Sequence, residues 1–98
     1  MSTADIFSVA PRVIDVRTAE EFVEGHVQGA VNFDVESGAF QAKLSSLDKS
    51  AGYALYCRSG RRSAIAAELM ATAGFTEVRD LGTLELAAQS LGLPIVTQ

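Results

Sequence analysis

The chain of 98 residues has one cysteine, Cys57, and one histidine, His26. A lone cysteine cannot close an internal disulfide, which excludes the stapled framework of small secreted proteins. One histidine beside one cysteine also excludes a zinc site of the usual Cys/His composition. No run approaches the roughly 20 apolar residues of a membrane span. Residues 1–5 show neither the basic start nor the apolar core of a signal peptide. Positive charge is scarce too. Eight Lys and Arg against twelve Asp and Glu leave a net charge of −4, the wrong balance for a nucleic-acid partner. These absences predict a cytoplasmic protein, in a reducing compartment where a free thiol survives, with no nucleic-acid and no membrane partner.

What is present is ordinary for a folded chain: 48% hydrophobic and 20% charged residues, with no linker or repeat. That predicts one domain over residues 1–98. Strands are predicted at 13–16, 30–33, 53–57, 76–81 and 95–96. A short helix begins after Thr18, with Glu20 and Glu21 in its first turn and Gly25 as its stop. Phe40, Leu44 and Leu47 recur at helical spacing. Helices at 64–73 and 84–91 follow, the first with Ile65, Leu69 and Met70 on one face and Gly74 just past its end. The strands read as too apolar to expose one face. Their alternation with helices predicts an α/β fold, a mainly parallel central sheet in a three-layer α/β/α arrangement. Tyr53, Tyr56 and Phe75 are predicted core.

The setting of Cys57 is the informative part. It closes an apolar strand and opens Arg58-Ser59-Gly60-Arg61-Arg62-Ser63, ahead of a helix. Three of the eight basic residues are packed into Arg58, Arg61 and Arg62. A thiol at a strand end, in a Gly- and Arg-containing turn before a helix N-terminus, meets backbone N–H groups and positive charge that favour its thiolate. The competing reading is a small buried hydrophobe, for which three arginines are poor company. In parallel sheets, ligands sit beyond the carboxyl ends of the strands. Asp15-Val16-Arg17 falls at such an end as well, so both segments can meet in one site, presented to a small anion.

Taken together these segments are recognisable. Ile14-Asp15-Val16-Arg17 with Glu20-Glu21-Phe22, then Gly25-His26-Val27-Gln28-Gly29-Ala30-Val31-Asn32, then Tyr56 through Ala64, Asp80-Leu81-Gly82 and Gly92-Leu93-Pro94, resemble the single-domain sulfurtransferases of the rhodanese family, over residues 13–96. The resemblance implies a rhodanese-like fold and ping-pong sulfur transfer without a cofactor or metal. The Cys57 thiolate takes sulfane sulfur from thiosulfate or a similar small anionic donor and holds it as a persulfide. Cyanide or a thiol then accepts it, and a sulfur-relay protein is a further possible partner. The implied substrate-binding residues are Arg58, Ser59, Gly60, Arg61, Arg62 and Ser63. Arg58 and Arg61 would hold the donor, while Arg62 and Ser63 would close the loop onto the helix. Asp15 and Arg17 would brace it, and His26 looks like a turn-forming residue rather than a general base.

Two alternatives stay open. One is a persulfide carrier or docking module. The other is a rhodanese-fold phosphatase or arsenate reductase, whose relatives resemble one another in an arginine six positions after the cysteine; here that position is Ser63 and the arginine, Arg62, comes one residue early. The chain also departs from the pattern of the family it resembles after Gly82. Thr83 stands where a second glycine is common, and Ala88 where a tryptophan is, so a pocket wall or the packing of the last helix must differ. Because the loop is read as exposed, replacing Cys57 by serine is expected to leave the fold intact.

Overall fold

The computed structural model describes residues 11–97; residues 1–5, read above for targeting signals, lie outside them. In chain order these residues form β1 (Arg12–Asp15), α1 (Ala19–Glu24), β2 (His26–Val27), β3 (Val31–Asn32), α2 (Ala39–Lys43) running into a 3₁₀ turn (Leu44–Ser46), β4 (Gly52–Cys57), α3 (Arg61–Thr72), β5 (Glu77–Thr83), α4 (Leu84–Leu91) and β6 (Ile95–Val96). Four strands make a parallel sheet in the order β3-β1-β4-β5. The closing strand β6 does not join it; it pairs antiparallel with β2. No helix among the described residues is long and apolar enough to cross a membrane.

Strand β4 shows how the layers arise. All six of its residues are buried, and their side chains alternate between the two faces with a period of two. Tyr53, Leu55 and Cys57 enter the cluster containing Phe40 of α2 and Ala66 and Met70 of α3. Tyr56 points the other way, into the cluster with Val13, Val27 and Ala87 of α4. Helices therefore cover both faces, and Cys57 lies on the α3 side. The edge strand β5 differs from the expectation of uniformly buried strands. None of its residues is fully buried, and Arg79 and Asp80 are exposed, because among the described residues no strand pairs beyond it in the sheet.

Helix α3 corrects two expectations. It begins at Arg61, three residues earlier than its apolar pattern suggests, because Gly60 in a left-handed conformation (φ 93°) turns the chain directly into the helix. Its buried face is Ser63, Ala66 and Met70, spaced at i, i+3 and i+7, while Ile65 is 49% exposed. Small residues face the sheet so that α3 can approach the thiol closely.

Between Leu55 and Cys57 the register with β5 shifts: Leu55 faces Asp80, but Cys57 faces Thr83. Two steps on β4 thus match three on β5, a bulge. Gly82, with φ 83°, occupies it, and its N–H donates to Asp80 Oδ1 at 3.0 Å. The bulge brings β5 against the loop after Cys57, where a Cβ on Gly60 would lie 3.7 Å from Gly82 Cα.

Tyr53, Tyr56 and Phe75 are buried as expected. The Tyr56 hydroxyl accepts the Val27 N–H at 3.0 Å, tying the small β2–β6 pair to the main sheet. Tyr56→Phe is expected to leave that N–H without its partner and to cost about 1–3 kcal/mol, read as a lower urea midpoint at unchanged slope. An unchanged midpoint would show that β2 does not depend on this bond.

Candidate active site

The site begins where β4 ends. Arg58, Ser59 and Gly60 form a three-residue turn before α3, shorter than the six-residue turn the sequence suggests; Arg61, Arg62 and Ser63 are instead the helix's first turn. This geometry aims donors at the sulfur. The Gly60 N–H donates to Cys57 Sγ at 2.9 Å. Ser63 Oγ lies 3.5 Å from Sγ and 3.2 Å from Gly60 O, a rotor able to accept from the thiol or donate to the thiolate. Burial works against ionisation of Cys57. Hydrogen bonds from the Ser63 hydroxyl and N–H, with the N–H groups of Gly60 and Ser59, outweigh it and hold the thiol below its ordinary pKa.

One expectation needs correction here. Arg58, Ser59 and Arg61 are exposed, but Cys57 itself has 0% exposure and belongs to the core cluster. The alternation of β4 sends Cys57 inward with Leu55, so only the turn faces solvent. The buried-thiol reading and the activated-thiol reading describe the same atom.

Arg62 is not free to hold a ligand, although it borders the cleft beside the turn. Its guanidinium donates to both carboxylate oxygens of Glu21, at 2.8 and 3.0 Å, with Glu36 3.5 Å away. Glu21 meanwhile completes the capping box of α1, accepting from the Thr18 N–H at 3.0 Å and the Thr18 hydroxyl at 3.1 Å. Arg62 is thus a strut between α3 and α1, and its charge is largely spent. The hydrogen bonds from Arg62 chiefly, opposed by burial and aided by those from Thr18, hold the Glu21 carboxyl down at about 2.

Asp15 and Arg17 form a buried pair on the neighbouring strand end. Arg17 Nη2 lies 2.6 Å from Asp15 Oδ2 and 2.6 Å from Gly25 O, and the guanidinium sits over the Tyr56 ring. His26 is not a turn residue: it lies in β2, its ring stacked 3.7 Å from Phe22, and its Nδ1–H donates to Phe22 O at 2.8 Å. Each of these groups is occupied with holding backbone.

The two expected donor-binding arginines diverge. Arg61 lines a cleft of about 670 Å³ with Ser59, Arg62, Thr18, Gln41 and Ile65. Arg58 lines a separate pocket of about 170 Å³ with Arg17, Glu21, Glu24, Leu84 and Glu85. An apolar cavity of about 460 Å³, lined by Pro11, Val13, Phe33 and Tyr53 among others, lies toward the opposite ends of β1 and β4, away from the thiol. Sequence reading missed Glu24, Glu36, Leu84 and Glu85. Isolated residues of helices and turns carry no signal until the fold sets them beside the loop. The departures after Gly82 are also explained. Thr83 has an extended backbone and caps α4 through its side chain, accepting from the Leu86 N–H, so no second glycine is required. Ala88 packs against the second core cluster and lines none of these pockets.

Comparison with known proteins gives a consistent picture. The rhodanese-like domain family model matches residues 4–83. The chain is 33% identical over 89 residues to the thiosulfate sulfurtransferase PspE of Escherichia coli, covering 87% of this chain and 86% of that protein. It is 36% identical over 100 residues to the chloroplastic thiosulfate sulfurtransferase 16 of Arabidopsis thaliana, covering 92% and 83%. Among solved structures, an E. coli rhodanese with anions superposes with a TM-score of 0.74 at 31% identity, covering 91% of this chain and all (100%) of that one.

The strut has a pH signature. A carboxylate whose folded pKa lies below its unfolded value stabilises the fold above the unfolded value and loses that contribution as pH falls through the folded one. For Glu21 the window runs from 4.5 down to about 2. Glu21→Gln, which can keep the cap, is expected to lower the melting temperature above pH 4.5 and to match wild type near pH 2. A gap that persists unchanged at low pH would show that the Arg62 pair is not its origin.

Proposed function

The chain belongs to the rhodanese-like domain family of sulfurtransferases, and from that premise we propose that it moves sulfane sulfur from thiosulfate, or a similar small anionic donor, to cyanide or a thiol through a Cys57 persulfide. The observation that carries this reading is the Gly60 N–H donating to Cys57 Sγ at 2.9 Å in a turn of three residues. In the first half-reaction the Cys57 thiolate attacks the outer sulfur of thiosulfate. The S–S bond of the donor breaks, its electron pair leaves with sulfite, and the enzyme keeps the sulfur as a persulfide. An acceptor nucleophile then takes that sulfur and returns Cys57 as thiolate.

Each residue has a stated part. Cys57 is the nucleophile. The N–H groups of Ser59, Gly60 and Ser63, with the Ser63 hydroxyl, hold negative charge on sulfur in both the thiolate and the persulfide. Arg61, exposed beside the turn, draws in the anionic donor, while Arg58, exposed on the other side, faces a separate pocket. Arg62 keeps the helix N-terminus in place through Glu21, and the Asp15–Arg17 pair fixes the strand end beside it. A thiolate stabilised this way requires no histidine base. A single free thiol that must stay reduced to react fits a cytoplasmic setting.

Phosphatase or arsenate chemistry is the weaker reading. Position 63 holds serine rather than arginine, and Arg62 is already spent on Glu21. Turnover with free thiosulfate separates an enzyme from a carrier that accepts sulfur only from a protein. Wild type is expected to turn over thiosulfate and cyanide, with the loading rate rising through a pH midpoint below the ordinary thiol value of about 8.5. Cys57→Ser is expected to abolish turnover while losing about 1 kcal/mol of stability, as a buried replacement of similar shape. Arg61→Ala is expected to raise the thiosulfate KM roughly twofold, the worth of one exposed charge contact. An unchanged KM would remove Arg61 from the donor site, and turnover by Cys57→Ser would refute the persulfide route.

A further inference from the structure

The structure assigns the small pocket at Arg58 to the sulfur acceptor, and its charges select a low-molecular-weight aminothiol, a thiol with an ammonium close to its sulfur. This rests on the sulfurtransferase reading above. The pocket opens at the level of the thiol because it is built from residues just past the carboxyl ends of three adjacent strands. Arg17 follows Val16, whose N–H donates to Tyr56 O. Arg58 directly follows Cys57. Leu84 and Glu85 directly follow Thr83, the residue opposite Cys57 in the β4–β5 register. Glu21 and Glu24 of α1 close the remaining side.

Which of these charges are free decides what the pocket can hold. Arg17 is neutralised by Asp15 and bonded to Gly25 O. Glu21 is neutralised by Arg62. That leaves Arg58, Glu24 and Glu85, one guanidinium against two carboxylates, a local charge of −1. A dianionic donor is repelled there and finds a less negative setting on the other side of the turn, where Arg61 and Arg62 balance Glu21 and Glu36 for a local charge of 0. An ammonium is attracted. An ammonium near a thiol also favours the acceptor's own thiolate, the form that must attack. Where the acceptor carries a carboxylate as well, Arg58 is the group to meet it.

Size agrees with charge. At ~30 Å³ for a water-sized group, the pocket of about 170 Å³ takes on the order of six non-hydrogen atoms. It continues into a shallower groove of about 270 Å³ bordered by Gly25 and Ile95. In the transfer itself the acceptor thiolate attacks the outer sulfur of the persulfide. The Sγ–S bond breaks, its electron pair stays on Cys57 Sγ, and the sulfur leaves as the acceptor's persulfide. The exchange needs no outside oxidant or reductant.

The test isolates the second half-reaction. Protein is loaded with thiosulfate, or with polysulfide if thiosulfate fails, and loss of the extra sulfur is followed by intact mass. Cysteamine, cysteine, N-acetylcysteine and 3-mercaptopropionate are compared at matched thiolate concentration. Cysteamine and cysteine are expected to unload wild type at least roughly fivefold faster than 3-mercaptopropionate, two exposed charge contacts being worth about 1 kcal/mol. In Glu24→Gln/Glu85→Gln that preference is expected to collapse toward unity. Arg58→Ala is expected to slow cysteine while sparing cysteamine. Equal rates for all four thiols, or a preference that survives in the double variant, would overturn the assignment. Loading by polysulfide but not by thiosulfate would count against the donor proposed above, and the acceptor comparison would still decide this one.

Discussion

The buried carboxylate of Asp15 is the constraint around which the working end of this molecule is arranged. A fully buried charge is tolerated only when it is paired and hydrogen-bonded. Asp15 meets that condition by accepting from the Arg17 N–H at 2.8 Å and from the Arg17 guanidinium through both oxygens. The same arginine reaches Gly25 O, and Asn32 Nδ2 donates to Asp15 O and Arg17 O. One ion pair thereby fixes the ends of β1 and β3 and the entry to β2. Since Asp15 lies opposite Tyr56 in the sheet, the residue before the thiol is fixed with them. Removing one partner would strand a charge inside and loosen the whole carboxyl edge.

On that edge the protein resolves a conflict. A buried thiol resists ionisation, yet sulfur chemistry needs the thiolate. The resolution is local and made of backbone. Gly60 alone can take the left-handed turn that both points its N–H at Sγ and starts α3 at the next residue. The helix then contributes its own free N–H groups and the Ser63 hydroxyl. Cationic side chains play a smaller part than their number implies. Arg62 braces the helix through Glu21, which leaves Arg58 and Arg61 exposed on opposite sides of the turn. Two approaches to one sulfur suit a two-stage reaction in which donor and acceptor arrive in succession and differ in charge.

Much of this was legible in the sequence, for reasons that can be named. The strands and α4 are short runs bounded by Gly, Pro or a capping Thr, and those boundaries are local. The placement of Cys57 and Asp15 at carboxyl ends of strands followed from strand–helix alternation, while the neighbouring of those two strands is set by the fold. What escaped depended on tertiary geometry. The arginines at the start of α3 look like loop because charge dominates their pattern, although an αL glycine had already begun the helix. Ile65 looks like a core residue, but Ser63 and Ala66 take that face because close approach to the thiol demands small side chains. His26 sits in a strand of two residues, too short to show a period. Glu24 and Glu85 come from helices distant in sequence, and only the fold makes them neighbours of Arg58.

The central claim is that the nest around Cys57 exists to carry a sulfane sulfur. Intact-protein mass spectrometry after incubation with thiosulfate tests it most directly, on wild type and Cys57→Ser side by side. The account requires a gain of one sulfur atom in the wild type, removed by cyanide and absent from the serine variant. A wild type that gains no sulfur, or a serine variant that gains it equally, would contradict it.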